Sequence, residues 1–175
     1  MMKKQFVTMI LCMLAVVVWS APSHAADVKI GYFDLQAVLD RSQWGQEVKK
    51  EFNAKKAQLE AEVQAKAKEF QESKQSYEKQ EKMMDEKSKK QKAQELRQKQ
   101  IEGEKLLMES NAELNKLSQQ LSKPLIDKIM DIVQTIGKNE KYDYIFEVQK
   151  AGLVYATEKT DLTQTVIKEL DKVKR

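Results

Sequence analysis

The stretch YEKQEKMMDEKSKKQKA, residues 77–93, lies at the centre of a mirror. The apolar series Val48, Phe52, Leu59, Val63, Phe70, Tyr77, Met84 runs up to it. The series Ala93, Leu96, Ile101, Leu107, Leu114, Leu117, Leu121 runs away from it. Folded back at Asp85, Tyr77 faces Ala93, Val63 faces Leu107, Phe52 faces Leu117 and Val48 faces Leu121. Each pair is equidistant from Asp85 to within one residue. Two antiparallel helices that bury a common seam require that symmetry, so the spacing predicts a helical hairpin. An element this thin is an arm and not a globular core. No Gly or Pro occurs from Lys82 to Lys87, so the turn rests on symmetry and not on turn chemistry.

The first limb reads as residues 46–84, just after Gly45. It is made of the strong helix formers Ala, Glu, Lys and Gln. Phe52 and Leu59 repeat at seven residues, as do Val63, Phe70, Tyr77 and Met84. Lys56, Lys66, Ser73 and Gln80 occupy alternate seam positions. A limb of about 40 residues reaches ~60 Å, and with half its seam polar it is expected to bend and splay. The second limb reads as residues 87–136. Gly103 interrupts it at a cost of ~1 kcal/mol relative to Ala. Pro124 lacks a backbone donor and is predicted to kink the helix. Gly103 and Pro124 are therefore the candidate flexing points. Beyond Pro124, Leu125, Ile126, Ile129, Ile132, Val133 and Ile136 make a wide apolar face, which predicts burial in a body. Gly137 is the predicted helix stop.

The remaining segments build that body. Val28 to Phe33 reads as a short strand, and Asp34 is placed to cap a helix bearing Leu35, Val38 and Leu39. Tyr144–Val148, a turn at Lys150–Gly152 and Leu153–Ala156 read as a β-hairpin. Asp161 with Gln164 three residues later resembles a capping box, and Leu162, Val166, Leu170 and Val173 line one face of a closing helix. The expected fold is mainly α with a small β body (α+β). Residues 26–43 and 124–175 form the body, and residues 44–123 form an inserted arm with its tip near 83–92. Three short strands leave exposed edges, which pairing between copies would cover, so a homo-oligomer is expected.

Residues 1–25 read as a cleaved secretory leader. Lys3 and Lys4 precede an apolar run from Phe6 to Trp19, and Ser23 and Ala25 place cleavage before Ala26. That run is short for a membrane span of about 20 residues. Cleavage removes Cys12 and His24, the single Cys and His of the chain. The mature protein then has no disulfide, thiol or imidazole chemistry, which suits an oxidising compartment. Loss of Lys3 and Lys4 lowers the formal charge from +4 to +2. That near balance weighs against a histone-like nucleic-acid binder. No nucleotide loop or nucleophile–base pair stands out, and the carboxylates alternate with lysines as on a solvated helix face. No enzyme activity and no cofactor are expected.

One charge asymmetry remains. Lys87, Lys89, Lys90, Lys92, Arg97 and Lys99 share the span 87–99 with a single acid, Glu95. With Met83 and Met84 beside them, they make a basic, adaptable tip. These eight residues are the candidate contacts for an acidic partner or an anionic lipid. The bland alternative is a solvated helix end that happens to be basic.

The segments Lys29–Asp34, Tyr142–Ile145, Gly152–Ala156 and Thr160–Gln164, ordered around a Lys/Glu/Gln/Ala-rich hairpin, resemble the Skp/OmpH family of periplasmic chaperones over essentially the whole mature chain. The resemblance implies an ATP-independent holdase and a jellyfish-like homotrimer. Strands of three copies would make the body, and the arms would enclose a cavity for unfolded outer-membrane β-barrel proteins. The family is also linked to lipopolysaccharide, though no tip residue is singled out for it. A structural coiled-coil spacer of the envelope is the alternative. The return of the chain to its body disfavours that reading, because a stalk needs no hairpin.

Overall fold

A computed structural model describes residues 27–173. The expected leader, residues 1–25, lies outside the described residues. The chain runs β1 (Ile30–Phe33), α1 (Leu35–Arg41), α2 (Gln43–Gln80), a 3-10 turn (Glu81–Met83) and α3 (Glu86–Asn139). It continues through β2 (Tyr144–Glu147), the single turn α4 (Val148–Ala151), a second 3-10 turn (Glu158–Thr160) and α5 (Thr163–Asp171). The α+β architecture with a long antiparallel hairpin agrees with expectation.

Local chemistry sets the junctions. Asp34 Oδ1 accepts the Ala37 N–H at 3.0 Å and caps α1. Buried Ser42 closes α1 and opens α2: its N–H donates to the Val38 carbonyl, and its Oγ accepts from Gly45 N–H at 3.1 Å. Gly45 is therefore inside the first turn of α2, not ahead of the limb. A Cβ there would lie 1.9 Å from the Leu39 carbonyl oxygen, so only glycine lets α1 and α2 approach this closely.

β1 and β2 pair in parallel, Ile30 against Tyr144 through Phe33 against Glu147. Parallel strands need a long crossover, and here the whole arm serves as that crossover. A bridge between Tyr32 and Asp161 takes the other edge of β1, with Leu162 N–H donating to the Tyr32 carbonyl at 2.8 Å. The core lies between α1, the second half of α3 and α5. Val38, Leu125, Ile129, Val166 and Leu170 are almost fully enclosed there. Each such side chain contributes ~1.5–3 kcal/mol through burial.

Several details differ from expectation. The predicted β-hairpin at residues 144–156 does not form. Glu147 carboxylate oxygens accept from Gln149 and Lys150 N–H at 3.2 and 2.7 Å, which turns the chain into α4. Gly152, left-handed at φ 63°, closes that turn. Leu153–Ala156 then finds no strand partner among the described residues, and Val154 and Tyr155 stand 99% and 83% exposed.

Gly137 does not stop α3, which continues to Asn139. The left-handed residue is Lys141, at φ 56°, and Tyr142 N–H reaches the Gly137 carbonyl at 2.9 Å in a Schellman arrangement. Gly137 serves packing instead, since a Cβ there would meet Ile145 Cδ1 at 3.3 Å. α3 is unbroken through Pro124. At α5, Asp161 Oδ1 accepts from Thr163 N–H at 2.8 Å. The return bond of a capping box is replaced: Asp161 N–H donates to the Glu158 carbonyl of the preceding 3-10 turn.

Candidate functional site: the arm and its tip

The turn at the tip has chemistry that a search for Gly and Pro misses. After the 3-10 turn, Met84 is extended and Asp85 caps α3. Asp85 Oδ1 accepts from Ser88 N–H and Oδ2 from Ser88 Oγ, both at 2.9 Å. These Ser88 bonds hold the Asp85 carboxyl below its ordinary pKa. Asp with Ser three residues on, ahead of a helical run, was the readable signal.

Met83 is 85% exposed at the apex, and Met84 is half-buried behind it. Lys87, Lys90 and Arg97 are exposed, and none has an ion pair among the described residues. Lys89 is engaged by Glu86 at 2.9 Å, and that hydrogen bond raises its pKa. Lys92 pairs with Glu95 at 2.7 Å, which lowers the Glu95 pKa. Lys99 reaches across to Glu69 of α2 at 2.5 Å. That bond, with a second from Lys66, holds the Glu69 carboxyl low. The tip thus gathers Met83, Met84, Lys87, Lys89 and Lys90. Arg97 and Lys99 lie ~18–21 Å down the shaft by helical rise. Lys99 braces the two limbs.

The seam of the arm differs in part from the expected series. On α2, Leu59 is buried and Val48, Phe52, Val63, Phe70 and Tyr77 are half-buried, and Met84 beyond its end is half-buried too, as the spacing predicted. Of the polar positions assigned to it, Ser73 is half-buried, whereas Lys56, Lys66 and Gln80 are exposed. Lys55 takes the inward place and pairs with Glu113 of α3 at 2.8 Å. On α3 the inward residues are Leu96, Gly103, Ser110 and Leu117, spaced by seven, with half-buried Lys99, Leu106 and Leu114 between them, ending near buried Leu121. Ile101 and Leu107 are 49% and 47% exposed and lie outside it. Ser110 is buried with no hydrogen-bond partner for its Oγ among the described residues. A Cβ at Gly103 would have nothing within 4 Å. The middle of the seam therefore carries a Gly and an unsatisfied Ser where a coiled coil places large apolar side chains.

The two sides of this seam are unlike. One side holds three open clefts. The root cleft, about 200 Å³, includes Val48, Phe52, Leu121 and Leu125. The middle cleft, also about 200 Å³, lies between Val63, Phe70 and Leu107. The tip cleft, about 500 Å³, includes Phe70, Tyr77, Ala93 and Leu96. Phe70 and Gln100 line both of the outer two clefts, which makes them neighbours on one face. The opposite side carries Glu51, Lys55, Glu113 and Lys116 around Leu117.

None of the helices among the described residues is long and apolar enough to cross a membrane. Among the described residues no group of three or more His, Cys, Asp or Glu could hold a metal ion.

A crystal structure from Caulobacter crescentus CB15, of a protein assigned as an OmpH-like outer membrane chaperone, superposes with a TM-score of 0.73. The match covers 83% of this chain and 85% of that one, at 14% identity, and it establishes a shared fold. An uncharacterized protein of Aquifex aeolicus (strain VF5) is 32% identical over 65 residues, a match spanning 37% of this chain and 39% of that protein's length. The family model for outer membrane protein (OmpH-like) matches residues 29–170. The chain belongs to that family.

Proposed function

We propose that this protein is an ATP-independent periplasmic holdase, a homotrimer whose arms enclose unfolded outer-membrane β-barrel proteins and keep them from aggregating. The reading is non-enzymatic and needs no cofactor. Family membership supports it, and one structural observation carries it: the body ends in an apolar edge that has no partner among the described residues. Tyr144 and Phe146 are exposed and stacked, with ring centroids 6.2 Å apart. Val154 and Tyr155 project from a segment that joins no sheet among the described residues. A lone two-stranded sheet with such an edge is a liability in water. Association of copies through it buries the edge and sets the arms side by side.

Between flexible arms, a client is held by many weak contacts and released without nucleotide. Met83, Met84, Lys87, Lys89, Lys90, Lys92 and Arg97 are the proposed capture contacts, for an acidic client segment or for lipopolysaccharide and anionic membrane surface. Gly103 and Pro124 are the proposed flexing points. The test is native mass spectrometry of the mature protein with and without a urea-diluted outer-membrane barrel protein, alongside light scattering. A trimer that takes up client and suppresses scattering without nucleotide is expected. A monomer, or unchanged aggregation at several-fold molar excess, would overturn the proposal.

A further inference from the structure

We infer that the row of clefts along the arm is a docking groove for an amphipathic helix of a partner polypeptide. The inference stands on groove geometry and does not depend on the holdase reading. One wall is a stripe of α3 residues spaced by seven: Ala93, Gln100 and Leu107 line the outer two clefts and Leu121 the root cleft, with half-buried Leu114 between them. The other wall, over the outer two clefts, is Val63, Phe70 and Tyr77 of α2, again spaced by seven. Seven residues of helix rise ~10.5 Å, so the apolar places recur at that interval. A partner helix with apolar residues in heptads presents side chains at the same interval and stays in register. An extended strand presents one face every ~6.7 Å and loses register after one cleft.

Two antiparallel helices with apolar flanks on one side of their seam make a seat for a third helix, as in a bundle. At the root of the arm the opposite side is charged, with Glu51, Lys55, Glu113 and Lys116, and makes no such seat there. From Ala93 to Leu107 the two outer clefts run ~21 Å, room for two heptads, and the root cleft lies beyond them at Leu121. A second copy's arm fills it poorly. The outward face of α3 offers Ile101 and Met108 at the required spacing, with Gln94 and Asn115 where the next apolar residues would have to be. The outward face of α2 offers only the small side chains Ala54, Ala57, Ala61 and Ala65. The rim of the tip cleft carries both signs, Lys74 and Arg97 with Glu78 and Glu81, and suits a helix whose apolar stripe is flanked by mixed charge.

The mature protein is titrated with two labelled peptides of one composition, followed by fluorescence anisotropy. One peptide spaces its apolar residues in heptads, and the other alternates them. The heptad peptide is expected to bind at least about tenfold more tightly, a difference of ~1.4 kcal/mol, and to gain helical circular dichroism on binding. Leu107→Glu, at a position already half in solvent, should abolish that preference, and Gln100→Leu should strengthen it by completing the stripe. Lys116→Glu on the opposite side should leave it unchanged. Equal affinity for the two peptides overturns the proposal, as does equal weakening by Leu107→Glu and Lys116→Glu. If Leu107→Glu changes the protein's own assembly mass while peptide affinity stays constant, the groove belongs to a second copy, and the proposal is again overturned.

Discussion

Replacing Ser110 by alanine should stiffen the arm. The Ser110 side chain is 5% exposed within the seam, and its Oγ has no hydrogen-bond partner among the described residues. A buried hydroxyl left unsatisfied costs ~1–3 kcal/mol. Alanine removes that cost and is also the better helix former by a few tenths, ~0.5 kcal/mol at most. Against this stands the loss of a few packing contacts from one oxygen, so a net gain of ~1 kcal/mol is expected. Spread over a chain of this size, such a gain raises Tm by only ~2–4 °C, and Tm of an assembling protein shifts with concentration. Residue-resolved hydrogen exchange at fixed protomer concentration is the sharper assay. Amides around Ser110 and its facing turn near Leu59 should exchange about fivefold more slowly, with the body unchanged. In the holdase reading, the stiffer arm should bind a narrower size range of clients. Faster exchange in Ser110→Ala, or none of the expected slowing, would mean that the hydroxyl is satisfied in solution and that the seam is not weakened there.

Other outcomes follow from the same geometry. Gly103→Ala meets open space and should stabilise α3 by ~1 kcal/mol, read as a higher urea midpoint. Lys141→Gly relieves a left-handed non-glycine residue and should add ~1 kcal/mol in the same measurement, while Gly137→Ala, pressed against Ile145, should not. Acid should loosen the arm. Glu69, Asp85 and Glu95 are held below their ordinary pKa by Lys99, Ser88 and Lys92 respectively, so their contribution is complete above the unfolded carboxylate range, about 4. It is lost as pH falls through the lowered folded values, and hydrogen exchange of the outer arm should quicken there, ahead of the apolar body. Charge reversal at Lys87, Lys89, Lys90 and Lys92 should slow client capture at low salt and leave the assembly mass intact. Unchanged capture rates would reduce the tip to a solvated helix end.

The hairpin was legible because burial along a helix imprints a repeat near seven, and fold-back adds mirror symmetry. The same signal misplaced Ile101 and Leu107. Apolar residues beside a seam repeat at seven like those within it, and hydropathy does not separate the two lines. By sequence Gly103 is an interruption and Ser110 gives no signal, because small or polar residues leave no apolar mark where they are buried. The brace from Lys99 to Glu69 was within reach, since the two residues are nearly equidistant from Asp85 and opposite in charge. The predicted β-hairpin failed for a different reason. Strand pattern reports that a segment can pair, not where its partner lies, and Leu153–Ala156 has no partner among the described residues.

The weakness of the seam and the openness of the clefts have one physical origin. A two-helix hairpin has a fixed supply of apolar side chains, and those that turn inward close the seam. In the middle of this arm Gly103 and Ser110 take inward places, while Leu107 stays half in solvent beside Val63 and Phe70. Apolar area is thereby moved from the limb–limb contact to a face that another chain can cover. The cross-limb ion pairs of Lys99 with Glu69 and Lys55 with Glu113 keep the limbs aligned. Exposed pairs of this kind contribute ~0–1 kcal/mol each, too little to hold the limbs rigidly. The arm is consequently a surface that is incomplete on its own and soft enough to adjust to whatever completes it. Refilling the seam and emptying the clefts should therefore change stability and binding in opposite directions.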